Sequence, residues 1–410
     1  MNLLVNLSMC CMVVLMTHNQ PTKISQWRGP NRDGKFLEKN LLKEWPDAGP
    51  EMTWSFEGLG DGHGNVGIGE DRIFVCGMID SVGYLFSFDS SGKLLWRKPY
   101  GTEWYKDYTG VRSTPTVVGD LVYFESGQGV VYCYHGNTGM LVWSVDLLRN
   151  FNAGNIQWGM SESLLVEGDI LYCTPGGKEH NVVALNRFSG ETIWISPGNN
   201  QPAAYCSPIL INHNGTKLIV TMTAESIIGI DAETGEDYWS IKQLQGNKIH
   251  ANTPVYFDGK IMCSSASNKE GFDGTVLLQL AQDGRSAEVV WRNRDITNLM
   301  GGFILQDGYV YGSKYRSSEW YCLSWETGEV RYVNKPFRNG VIVYADGLFY
   351  CYSEGGEMAL VRADSHSWTV ISEFKIPLGT NQHWAHPALA EGHLFVRHGD
   401  ALMVYDIRQR

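Results

Sequence analysis

Short apolar runs with period-two alternation, each broken by a polar turn containing glycine, recur along most of this chain. The segments "LFSFDSSGKLLW" (ending at Trp96), "VYCYHGNTGMLVW" (Trp143), "VVALNRFSGETIW" (Trp194) and "IIGIDAETGEDYW" (Trp239) share one pattern: apolar strand, polar turn ending in glycine, second strand closing on tryptophan. Looser copies close on Trp291, Tyr332 and Phe374. Ahead of each copy lies a second unit, as in "STPTVVGDLVYF" (Ser113 to Phe124), "SESLLVEGDILYC" (Ser161 to Cys173) and "HPALAEGHLFVR" (His386 to Arg397). These units also read as strand, glycine-bearing hairpin turn, strand. Alternation of this kind marks half-buried strands. Together the two units give four strands per repeat, an inner pair followed by an outer pair.

The closing aromatics, from Trp54 through Phe374, are 41 to 52 residues apart, the period of a propeller blade. A lone four-stranded sheet cannot bury both faces, whereas radial stacking buries each against a neighbour. The end-of-strand tryptophan would then wedge between blades, its burial contributing roughly 2 to 3 kcal/mol. The last unit, from His386 through "GDALMVYDI", holds only three strands, and "EMTWSFEG", Glu51 to Gly58, is a strand without partners ahead of it. Pairing the two closes the ring and removes both sheet edges. The expected fold is all-β: an eight-bladed β-propeller of four-stranded antiparallel blades, its last blade closed by an N-terminal strand. Seven blades is the alternative, should the copy near Phe374 be miscounted. Residues 51–410 form the propeller, 21–50 an N-terminal arm, and 1–20 a signal or lipoprotein segment.

Composition sharpens this picture in two places. The formal net charge is −11, and no lysine or arginine run interrupts it; nucleic acid and anionic membrane surfaces are poor partners for such a surface. The apolar stretch "LLVNLSMCCMVVLM", Leu3 to Met16, suits an export segment and is too short to span a bilayer. Export to the periplasm or outer membrane of a bacterium is therefore expected, with a lipid anchor at Cys10 or Cys11 as a further option.

The turn-and-tryptophan pattern, clearest in "IDAETGEDYW", resembles the docking repeat A-x-D-x-x-T-G-x-x-x-W of the PQQ-type (quinoprotein-like) β-propeller family. The resemblance runs from Trp27 to Asp406. Many exported bacterial members also begin with W-R-G-P-x-x-x-G, which here reads Trp27, Arg28, Gly29, Pro30, Gly34. The family holds two kinds of protein. PQQ-dependent alcohol and sugar dehydrogenases hold the quinone against a disulfide between adjacent cysteines and bind calcium through carboxylate and amide oxygens. Here the only adjacent cysteines are Cys10 and Cys11, inside the export segment, and no calcium-ligand set or base can be matched. The other kind is non-catalytic and includes a lipoprotein of outer-membrane barrel assembly. The resemblance therefore implies a binding or scaffold protein of the cell envelope that uses its central-channel face. A quinoprotein-like dehydrogenase with PQQ and calcium, or a sugar-active enzyme, is the alternative.

Loops entering the innermost strands surround the channel mouth, where propellers hold their ligands. They carry His63, Arg112, Trp158, Tyr205, His250, Asn252, His383 and Trp384, with Gln157, Met300, Arg338, Asn339 and His386 beside them. Aromatic, imidazole and amide groups of this kind suit a carbohydrate-like small molecule or an envelope protein. No metal is expected: His383 and His386 are three residues apart, a spacing that points side chains to opposite faces of a strand. Cys76, Cys173, Cys263 and Cys351 recur at one strand position and read as small buried hydrophobes, leaving Cys206 as the thiol to test for reactivity. "WRGPNRDG" reads as an arm across the propeller, anchored by Trp27, with Arg28 or Arg32 pairing with acidic groups.

Overall fold

Eight antiparallel sheets stand around a central channel in chain order. The computed structural model describes residues 24–198, 200–244, 246, 248–266 and 272–409; the segment expected to direct export, with Cys10 and Cys11, lies outside them. Each blade runs inner strand to outer strand. Blade 1 comprises Gly67–Ile68, Ile73–Ile79, Val82–Phe88 and Leu94–Thr102. Blade 7, the copy that closes on Phe374, is complete, ending in Trp368–Lys375. Blade 8 takes its three inner strands from Ala388–Ala390, His393–His398 and Ala401–Asp406, and its outermost from Glu51–Glu57, paired antiparallel from Glu51 opposite Asp406 to Glu57 opposite Ala401. The ring is thus eight-bladed and closed by the N-terminal strand.

The apolar interior is divided in the same way. Eight separate buried clusters occur among the described residues, one at each junction of neighbouring blades. At the closing junction, Phe395, Leu402 and Val404 of blade 8 pack with Val75, Phe86 and Phe88 of blade 1. Period-two alternation therefore feeds two cores at once, one on each face of a blade.

The repeat signature holds those junctions together. In blade 4, Asp231 Oδ1 accepts from the backbone N–H groups of Glu233 and Thr234 and from the Thr234 hydroxyl, an Asx-type turn. Against partial burial, the Tyr238 hydroxyl donating to Oδ2 and then these bonds hold the carboxylate below its ordinary pKa. Gly235 follows with φ +78°, and the ring of Trp194 from blade 3 lies over it, within 2.5 Å of where a Cβ would stand. Trp194 Nε1 donates to Ala232 O of the same turn at 3.3 Å. The arrangement recurs with Trp54 over Gly92, Trp143 over Gly190 and Trp291 over Gly328. Each indole N–H donates into the next blade's turn segment, to Ser90 O, Arg187 O and Trp325 O respectively. Phe374 lies instead over Gly49 of the arm and edge-on to Trp45.

Candidate functional site

The N-terminal arm crosses the channel. Ile24–Ser25 adds antiparallel to the inner strand of blade 2, and Lys35–Phe36 adds parallel to the inner strand of blade 7. Between them, "WRGPNRDG" fills the centre. Arg28 is buried and donates to Phe303 O of blade 6 at 2.8 Å, to Ile342 O of blade 7 at 3.4 Å and to His386 Nδ1 at 2.9 Å. Arg32, also buried, donates to Ser163 O at 2.6 Å and Leu164 O at 3.1 Å, on the entry to blade 3. Trp27 Nε1 donates to Thr253 Oγ1 at 3.0 Å, on the entry to blade 5.

The two arginines therefore anchor chiefly on backbone carbonyls rather than on the acidic side chains expected. Inner-strand ends at the channel offer unpaired C=O groups, which suit a many-donor guanidinium. Burial lowers both pKa values to about 10, so both remain cationic at neutral pH. The acidic side chain of Glu162 pulls the Arg32 pKa upward, against that burial. Two glycines beside Arg28, one in the motif and one at the entry to blade 6, have a spatial reason. A Cβ at Gly34 would stand 2.4 Å from Arg28 Nη2, and one at Gly302 would stand 2.1 Å from Arg28 Nη1.

Above the arm the channel opens into a cavity of about 430 Å3. Trp27 contributes to its wall from the arm side, beside His386, with ring centroids 4.5 Å apart. His386 is neutral: burial and then the Arg28 charge hold its pKa well below the ordinary value. Nδ1 faces the Arg28 donor and Nε2 lies 2.7 Å from Met300 O, so the proton sits on Nε2.

Five of the eight residues expected at the mouth border this cavity: His63, Arg112, Trp158, Tyr205 and Trp384. Their rings form a chain. His63 lies 5.1 Å from Trp384, Tyr108 5.3 Å from Trp384 and 6.3 Å from Trp158, and Trp158 6.0 Å from Tyr205. The Tyr205 hydroxyl accepts from the Trp158 N–H at 3.0 Å. Arg112 donates to Gly110 O and Tyr108 O and lies over the Trp104 ring. Burial lowers its pKa to about 10, leaving it charged. Burial, then Arg112 and Arg397, push His63 down to about 3, so it is neutral at any ordinary pH.

The other three lie elsewhere. His250 and Asn252 are fully buried, while their neighbours Ile249 and Ala251 border the cavity. This entry segment is extended, so alternate residues face opposite ways. Asn252 Nδ2 instead donates to Asn298 O at 2.7 Å and Oδ1 at 3.0 Å. His383 stacks on His398 at 3.7 Å and shares a hydrogen bond with the Tyr352 hydroxyl through Nδ1, in a small crevice behind Trp384. Cys206, expected as the reactive thiol, is buried and donates to Asn252 O, and burial raises its pKa to about 12. Sequence reasoning missed Trp27, Tyr108, Tyr315, Arg316 and Glu354, all of which border the cavity. Tyr315, Arg316 and Glu354 follow second strands, so their loops reach the same mouth from further out along the blade.

The donor set can be compared with a calcium-held quinone. Calcium takes about six to eight oxygen ligands, several of them carboxylates. Among the described residues bordering the cavity the one carboxylate is Glu354, and its Oε1 already accepts from Asn339 Nδ2 at 2.9 Å. These residues do not fit that centre.

A closed propeller with an arm-filled channel and an aromatic mouth defines a binding propeller of the PQQ-repeat class. The chain belongs to the family whose model is described as outer membrane protein assembly factor BamB, which matches residues 81–334. That membership agrees with the expectation of an exported, envelope-associated binding or scaffold protein. No curated protein matches the sequence. Among solved structures, BamB from Moraxella catarrhalis aligns at 13% identity with TM-score 0.62, covering 87% of this chain and 99% of that one. Quinohemoprotein alcohol dehydrogenase from Comamonas testosteroni aligns at 11% identity with TM-score 0.64, covering 93% and 79%. The computationally designed Ika8 protein aligns at 10% identity with TM-score 0.58, covering 90% and 100%. At these identities the likeness is one of fold.

Proposed function

We propose that this protein is a BamB-like binding or scaffold protein of the bacterial cell envelope, and that it engages its partner through the channel mouth. The carrying observation is the cavity of about 430 Å3, walled by loops from many blades and backed by Trp27 of the arm. A mouth assembled from many loops can change its side chains without disturbing the blade cores beneath. The buried Arg28 and Arg32 make that mouth rigid from behind, which lowers the ordering cost of binding. Among the described residues no helix is long and apolar enough to cross a membrane.

The test is site-directed photo-crosslinking in the producing bacterium. A photoreactive residue replaces Trp384 at the mouth or, separately, exposed Val289 on the outermost strand of blade 5. Discrete adducts with envelope components from the mouth position and none from the outer strand are expected. Adducts from the outer strand alone would overturn the proposal.

A further inference from the structure

We propose that the channel-mouth cavity is a subsite for an anionic saccharide, its ring held against the aromatic wall and its acid group held by Arg112 and Arg316. This rests on the reading of the mouth as the binding face and adds the class of ligand.

The wall selects for a puckered ring. Its neighbouring aromatic planes are inclined to one another, by 48° for Tyr108 and Trp384, 72° for Tyr108 and Trp158, and 43° for Trp158 and Tyr205. None of these three pairs forms the parallel slot that a flat fused ring system requires. Inclined rings instead form a cup, against which the C–H faces of a pyranose can pack while its hydroxyls point outward. Hydroxyl partners are present on one side. Ser163 and Ser207 border the cavity, and the hydroxyl of each accepts a backbone N–H, from Thr114 and Ser163 respectively. Each hydroxyl hydrogen remains to be donated. The volume falls in the range of about 300 to 1,000 Å3 found for small-molecule sites.

Charge selects for an acid. The chain carries a net charge of −11, yet the cavity is bordered by two guanidiniums, Arg112 and Arg316, against one carboxyl, Glu354. Burial raises the Glu354 pKa, against the hydrogen bond from Asn339 and the charges of Arg338 and Arg316. Arg316 is exposed, lies over the Tyr315 ring and is within electrostatic reach of Glu354. His63 adds no charge, being neutral. A positive mouth on an acidic body both attracts an anion from solution and orients it.

A carboxylate sugar and a phosphate sugar share this chemistry, and the experiment separates them. Isothermal titration of the full chain at low ionic strength would use trigalacturonate, glucose 6-phosphate, maltotriose and inorganic phosphate. At least one anionic sugar should bind about tenfold or more tightly than maltotriose and than inorganic phosphate. Salt should weaken that binding. Arg316→Gln should reduce it about tenfold at unchanged melting temperature, while Arg285→Gln, on the turn before the outermost strand of blade 5, should leave it unaltered. The stronger anionic ligand identifies the acid group. Equal binding of maltotriose, equal binding of inorganic phosphate, or full affinity in Arg316→Gln would each overturn the inference. No sugar binding combined with mouth crosslinks would overturn this inference alone; loss of both would overturn the proposed function as well.

Discussion

Gly235 and Gly308 have nearly the same backbone conformation, with φ +78° and +79°, but different surroundings. A Cβ at Gly235 would stand 2.5 Å from the Trp194 ring of the preceding blade, whereas one at Gly308 would meet nothing within 4 Å. Substituting each by alanine therefore separates backbone strain from interblade docking. Both variants bear the left-handed cost of about 1 to 2 kcal/mol. Gly235→Ala must also displace a half-buried indole, at roughly 2 kcal/mol of apolar contact, and stretch the bond from Trp194 Nε1 to Ala232 O, worth about 1 kcal/mol. Gly308→Ala should thus cost about 1 to 2 kcal/mol and Gly235→Ala about 4 to 5. Guanidinium denaturation followed by circular dichroism, supported by thermal melting, reads the difference. A double-mutant cycle completes the test: with Trp194→Ala already present, Gly235→Ala should fall to the Gly308→Ala cost. If Gly235→Ala costs as much without the indole as with it, the tryptophan is not what presses on the turn, and the docking account fails.

Three further outcomes follow from the same structure. Deleting the chain through Glu57 removes the strand that covers Ala401–Asp406 and should give aggregation with a lowered melting temperature; a soluble protein with an unchanged melt would refute the closure. Arg28→Ala leaves Phe303 O and His386 Nδ1 without their buried donor and should cost roughly 1 to 3 kcal/mol for each, with faster proteolysis near Arg32; an unchanged melt and digestion pattern would count against the anchor. Glu125 and Glu162 are buried together, with the Glu162 N–H donating to Glu125 Oε2, and burial raises both carboxyl pKa values. The folded state therefore keeps a proton that the unfolded chain releases, so this pair costs nothing at pH 4. As pH rises above the ordinary carboxylate range, stability falls by about 1.4 kcal/mol per pH unit for each proton so retained. Glu125→Gln should raise the melting temperature at pH 8 to 9 and not at pH 4, and an equal change at both pH values would refute the assignment.

Much of the fold was legible because its determinants are local. The D-x-x-T-G turn, its glycine and the tryptophan one repeat earlier recur at a regular spacing, so the sequence pointed to eight blades closed by the Trp54 strand and left seven open until the blade ending at Phe374 proved complete. The mouth was only partly legible. Arg112, Trp158, Tyr205 and Trp384 follow from loop position, but an extended segment alternates its faces, and one residue of register exchanged His250 and Asn252 for Ile249 and Ala251. Tyr315 and Glu354 carry no motif; they reach the cavity because of where second strands end in three dimensions.

The sequence by itself determined the closed ring and its docking tryptophans and narrowed the blade number to eight or seven, since each depends on contacts between consecutive repeats. It also marked "WRGPNRDG" as a segment outside the repeats. Only the tertiary structure decided that this segment fills the channel rather than lying across the surface. The partners that hold Arg28 there, Phe303, Ile342 and His386, lie hundreds of residues away along the chain. Gly302 provides the space for it. A buried cation is set by the geometry of all its acceptors together, and that geometry exists only once the ring has closed.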